Sequence, residues 1–163
     1  MKKTTLILAG IFILFSAVPS ARALSVSGNG GNYGLNHGSQ PLGDVTVLMD
    51  NTSFPVTAKH GLGLVLPGSQ WSLWEQSVTS AQITGNAVER GKMAAEVTLS
   101  YSSDLKTLRL PVVADLAVGD AMVVSGLNVR IYDRGSGRQP IGIDVNDDGV
   151  VDYSSMIYIR IDE

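Results

Sequence analysis

Between Gly43 and Ile161 the chain is a succession of short apolar or alternating runs stopped by turn residues, with almost no helical periodicity. That pattern restricts the fold most. Residues 45–49, 62–66, 77–83, 95–101, 107–113, 121–125, 127–132 and 156–161 all read as strands. Pro67-Gly68, Ser103-Asp104, Gly119-Asp120 and the stretch 135–137 supply the turns between them. In the run 95–101, Ala95, Val97, Leu99 and Tyr101 fall on one face and Glu96, Thr98 and Ser100 on the other, the period of a half-buried strand. About eight such strands in one domain predict an all-β fold, an immunoglobulin-like antiparallel β-sandwich whose inner faces supply the core.

Met1 to Ala23 has the parts of a secretory signal: Lys2 and Lys3, an apolar run from Leu6 to Phe15, and small residues at Ala21 and Ala23 before the expected cut. The mature chain would start at Leu24, placing it in the periplasm, at the cell surface or outside the cell. The apolar run is short for a membrane span and no second one follows, so no span is expected in the mature chain. Residues 24–42 are rich in glycine and asparagine, and from Gly28 to Gln40 they predict a flexible arm ahead of a single domain over 43–163. Neither a strand before nor a helix after these glycines is readable, as a dinucleotide fingerprint would need.

Removing Lys2, Lys3 and Arg22 takes Lys plus Arg from 12 to 9 against 15 Asp plus Glu, so the net charge of −3 becomes −6. An acidic domain of this kind argues against a nucleic-acid partner. Cysteine is absent, which removes a disulfide framework and thiol catalysis.

The stretch 144–152 places oxygen side chains at alternate positions around a glycine, a pattern that suits a hard cation. Asp144, Asn146, Asp148 and Asp152 stand at the first, third, fifth and ninth positions, and the main-chain carbonyl of Val150 at the seventh can complete the set for Ca2+. A solvated acidic turn is the competing reading, since Asp, Asn and Gly are ordinary turn residues. Four carboxylates within nine residues would repel one another without a cation, which favours calcium. The twelfth position is Ser155 rather than an acid, so the loop is not an EF-hand, and a dissociation constant of about 0.1–1 mM is expected for an extracellular module. Ile141 and Ile143 before the loop and Ile157, Ile159 and Ile161 after it predict that the ion clamps a hairpin of the last two strands.

From about Phe54 to Ile131 the chain resembles an adhesin-type β-sandwich module repeated in large secreted and surface proteins of Gram-negative and related bacteria. The matching pieces are residues 62–67 with Trp74 after them, 77–85, 104–110 and 117–129. Those modules imply a surface location and a structural or adhesive role, with no catalytic residues to carry over. The nine-residue loop resembles the calcium loop of FG-GAP repeats, whose ligand set ends at the ninth position. Dockerins share its opening, but their twelfth-position carboxylate, flanking helices and second copy are missing here.

Trp71 and Trp74, with Glu75 and Gln76 beside them, offer the stacking and polar groups of a carbohydrate-binding module, although two tryptophans serve a core equally well. His37 and His60 have no visible triad or metal partners, and no nucleophile elbow, zinc helix or phosphate loop occurs. A secreted hydrolase would have to pair carboxylates such as Glu75 and Asp104. The sequence therefore predicts a secreted, calcium-stabilised β-sandwich that is not an enzyme. Its partner would be a surface protein or a polysaccharide, and assembly by strand addition at an open sheet edge is a further expectation.

Overall fold

The computed structural model describes residues 24–28, 32–34, 38–50, 53, 55–67, 72–132 and 138–162. The signal segment, His37 and Trp71 lie outside them. In chain order the strands are β1 (Ser25–Gly28), β2 (Asn32–Gly34), β3 (Ser39–Pro41), β4 (Val45–Leu48), β5 (Leu62–Val65), β6 (Ser72–Trp74), β7 (Ser80–Thr84), β8 (Glu96–Thr98), β9 (Ser100–Tyr101), β10 (Thr107–Leu110), β11 (Ala121–Ser125), β12 (Asn128–Ile131), β13 (Arg138–Asp144) and β14 (Tyr153–Asp162). One helical turn, α1 (Asn86–Glu89), follows β7.

The strands form an all-β sandwich. One sheet has the order β1-β4-β11-β7-β8, a second β2-β14-β13-β5-β10-β9, and a small third sheet β3-β12-β6. The described pairings are antiparallel except β2 with β14. Period-two patterning explains the layers: Val45 and Val47 of β4, Met122 and Val124 of β11, Leu108 and Leu110 of β10, and Val129 and Ile131 of β12 all point into one buried cluster. Pro111 follows β10 directly; it has no N–H to donate to a ladder.

The alternating run 95–101 behaves in a way its pattern does not reveal. Its first part, β8, pairs with β7 in the first sheet, and its last part, β9, pairs with β10 in the second. The chain changes sheets at Leu99, whose N–H bonds the Thr79 carbonyl at 2.9 Å. Val97 and Leu99 are buried while Glu96, Thr98 and Ser100 are exposed, as the alternation requires, but Ala95 is exposed as well. The run 77–83 becomes a strand only from Ser80, because Ser77 and Val78 donate to the Glu75 carboxylate and carbonyl.

The flexible arm expected over 24–42 is corrected for the described residues 24–28, 32–34 and 38–42, while 29–31 and 35–37 lie outside them. Leu24 and Val26 are buried at 0% and 1% exposure, and β1 pairs with β4 from Ser25↔Leu48 to Gly28↔Val45. Further along, β2 lies beside β14 at the edge of the second sheet, and β3 pairs with β12. The N-terminal segment thus supplies an edge strand to all three sheets. The physical reason is the Leu24-Ser-Val-Ser alternation, which gives β1 an apolar inner face despite its glycine-rich surroundings.

Candidate functional site

The hairpin of β13 and β14 is joined by residues 145–152, so the acidic stretch occupies a strand-to-strand loop. Two residues take left-handed backbone conformations, Asp147 at φ 60° and Gly149 at φ 78°. Asp and Gly tolerate that region best, which is why this composition closes this turn. Asp144 organises the loop from beneath and is fully buried. Its Oδ1 accepts hydrogen bonds from the Asn146 and Asp147 amides at 3.0 and 2.9 Å, and its Oδ2 accepts one from the Gly149 amide at 3.1 Å. Asp152 closes the other end: its Oδ2 accepts from the Val145 amide at 2.8 Å and its Oδ1 from Asn146 Nδ2 at 3.0 Å. Asp148 is exposed and accepts from the Val150 amide at 2.9 Å.

A cation is present in this arrangement, and it is a side chain. Arg109, on β10, places its Nη2 2.5 Å from Asp144 Oδ2 and 2.8 Å from Asp147 Oδ1. Its Nη1 donates to the carbonyls of Asp144 at 3.2 Å and His60 at 3.4 Å. Arg109 and Asp144 sit on strands separated by β5. Arg109 can reach across because the residue between them in register with both is Gly63. A Cβ there would lie 2.9 Å from the Asp144 carbonyl oxygen and 3.1 Å from the guanidinium.

The loop brings Asp144, Asn146 and Asp152 into one hydrogen-bonded group, while Asp148 is turned to its own Asx-type bond. The two Asp144 oxygens already hold four N–H donors, the guanidinium among them. Among the described residues no group of three or more His, Cys, Asp or Glu side chains converges on a metal position. As arranged, Asp144 is engaged by Arg109 and three loop amides, and Asp152 by Val145 and Asn146. Sequence reasoning missed both Arg109 and Gly63, which read as ordinary members of alternating strands.

The tryptophan site also changes. Trp74 is 1% exposed, and its indole N–H donates to the Leu64 and Lys106 carbonyls at 3.1 and 3.0 Å. It belongs to the core and offers no face to a sugar, while Trp71 falls outside the described residues. Glu75, beside Trp74, is buried and bonded to Arg130 and to the Ser77 amide, and the guanidinium foremost holds its carboxyl down to about 2. Asp104 lies in an exposed turn where the Ser102 hydroxyl and the Lys106 amide lower its pKa. Both carboxyls are shifted downward, away from the raised pKa of a glycosidase general acid.

Close to the loop lies a groove of about 890 Å³, with Val65, Leu73, Pro140 and Val151 on its apolar walls and Lys106 at its side. Burial lowers the Lys106 pKa, and its ammonium donates to the Ser72 carbonyl at 2.5 Å. No protein-family model matches the chain, and no curated protein matches it.

Proposed function

We propose that the chain is a secreted β-sandwich that binds a surface protein or polysaccharide, or assembles with other chains, at the bacterial cell surface or in the extracellular space, and does no catalysis. One observation carries this reading. Each buried carboxylate among the described residues, Glu75, Asp120 and Asp144, is bonded to an arginine, so these groups hold the fold together and are not available as acids or bases. The amino-terminal signal pattern supports export. No helix among the described residues is long and apolar enough to cross a membrane.

The recognition surface in this reading is the hairpin end of the sandwich. Val150 and Val151 stand 60% and 43% exposed there, beside the apolar groove.

The test is expression of the whole chain in a Gram-negative host, followed by fractionation and amino-terminal sequencing. The proposal expects a product beginning at Leu24 outside the cytoplasm, retained by cell envelopes or purified polysaccharide. An uncut cytoplasmic product would refute export. Turnover of a glycoside or ester substrate that is lost in Glu75→Gln would refute the non-catalytic reading.

A further inference from the structure

We propose that Arg109 is the resident cation of the 144–152 loop, that it closes the loop without a metal ion, and that it excludes a divalent ion while it remains in place. Arg109 on β10, Gly63 on β5 and Asp144 on β13 are aligned by the ladder registers, and the missing side chain at Gly63 lets the guanidinium pass over β5. The Arg109 side chain is 15% exposed and the Asp144 side chain fully buried, so this pair is desolvated in a way surface ion pairs are not.

Charge accounting supports the same assignment. The loop contributes Asp144, Asp147, Asp148 and Asp152. Arg109 contacts the first two directly, the amides of Asn146, Asp147 and Gly149 complete the bonding of Asp144, and Asp152 is bonded at both oxygens by Val145 and Asn146. Arg109 offsets one of the four charges, and amide hydrogen bonds to Asp144, Asp148 and Asp152 reduce the remaining repulsion within the fold. A divalent ion at Asp144 must release the guanidinium, and the released charge would then lie beside the ion. Arg109 and calcium are therefore alternatives.

The test uses the chain from Leu24, melted in EGTA and in about 2 mM calcium, a concentration that fills a typical extracellular site. Direct binding is read by terbium luminescence sensitised through Tyr153, which adjoins Asp152. Wild type is expected to melt alike in both buffers and to give no terbium signal. Arg109→Gln is expected to melt on the order of 10 °C lower in EGTA, and to gain both a calcium-dependent rise and a terbium signal. Should Arg109→Gln not fold, Gly63→Ala keeps the arginine but obstructs its path, and the same loss of stability with the same gain of metal response is expected. Calcium stabilisation of the wild type would overturn the proposal. So would wild-type melting of both variants, or destabilised variants that stay indifferent to calcium and terbium.

Discussion

Deleting the inner face of β1 discriminates between a flexible arm and a structural edge strand. Leu24 and Val26 are buried at 0% and 1% exposure against a cluster that includes Val45 and Val47 of the neighbouring strand. Truncating a buried leucine to alanine costs about 2–5 kcal/mol, and at a sheet edge, where neighbours relax more easily, the lower half of that range applies. Val26→Ala adds about 1–2 kcal/mol for the methyl groups lost. The double variant should thus lose about 4 kcal/mol. At roughly 4 °C per kcal/mol for a domain of this size, that is a fall in Tm of about 15 °C. Ser27→Ala, on the exposed face of the same strand, is the control and should stay within about 0.5 kcal/mol.

The assay is thermal and urea unfolding of the chain from Leu24, read by circular dichroism, with amide exchange to locate the effect. Exchange should accelerate first along Val45–Leu48, which pairs with β1 on one side and with β11 on the other. If the double variant melts within about 2 °C of wild type, β1 contributes no buried face and the segment is an arm after all.

Glu75→Gln should flatten the acid limb of the stability profile. With its pKa lowered from 4.5 to about 2, Glu75 contributes stability that is complete above 4.5 and is lost as pH falls toward 2, so the two proteins should converge in that window. Arg130 is 42% exposed, so solvent screens the pair and keeps the contribution small, to be read by urea titration at each pH. Trp74→Phe removes the indole N–H shared by the Leu64 and Lys106 carbonyls, the latter keeping the Leu66 amide, and should cost about 1–2 kcal/mol in denaturant unfolding. Trp71→Phe, which leaves Trp74 as the sole indole, should give blue-shifted emission; emission typical of water would place Trp74 at the surface. Gly85→Ala should cost about 2–3 kcal/mol, since Gly85 lies at φ 111°, ψ 176°, and a Cβ would sit 2.6 Å from the Ala121 carbonyl oxygen.

Much of the sandwich is legible in the sequence because the strands that build it are half-buried and alternate. Val45, Val47, Leu108, Leu110, Met122 and Val124 could be placed inside from period alone, and the core cluster contains them all. The change of sheet at Leu99 is not legible, since the side chains keep alternating while the hydrogen-bonding partner changes from β7 to β10. The amino-terminal strands were obscured by composition: glycine and asparagine around residues 28–40 signal a linker more loudly than two apolar residues at 24 and 26 signal a strand. The loop at 144–152 is legible as the connection between the last two strands, whereas the approach of Arg109 to it is not. A local pattern can name oxygens, whereas the guanidinium arrives from 35 residues away through a register that belongs to the folded sheet.

The three buried carboxylates and their arginines share that long reach. Arg90 with Asp120, Arg109 with Asp144 and Arg130 with Glu75 join residues 30, 35 and 55 positions apart, in a chain without cysteine to staple it. As stabilisers they offer little over a well-packed apolar pair, because desolvating the charges offsets most of their attraction. Their effect on alternatives is larger. A one-residue slip of β10 along β5 would turn Arg109 to the opposite face and carry it away from Gly63, leaving Asp144 buried without its cation. Breaking a buried pair in that way costs about 3–5 kcal/mol, comparable to a large share of a domain's net stability. The same slip would also expose Leu108 and Leu110, so packing and charge penalise the wrong register together. In a strand of only four residues, where few ladder bonds distinguish one register from the next, the charge penalty is the more specific of the two, and it makes Arg109 the residue that discriminates against that slip.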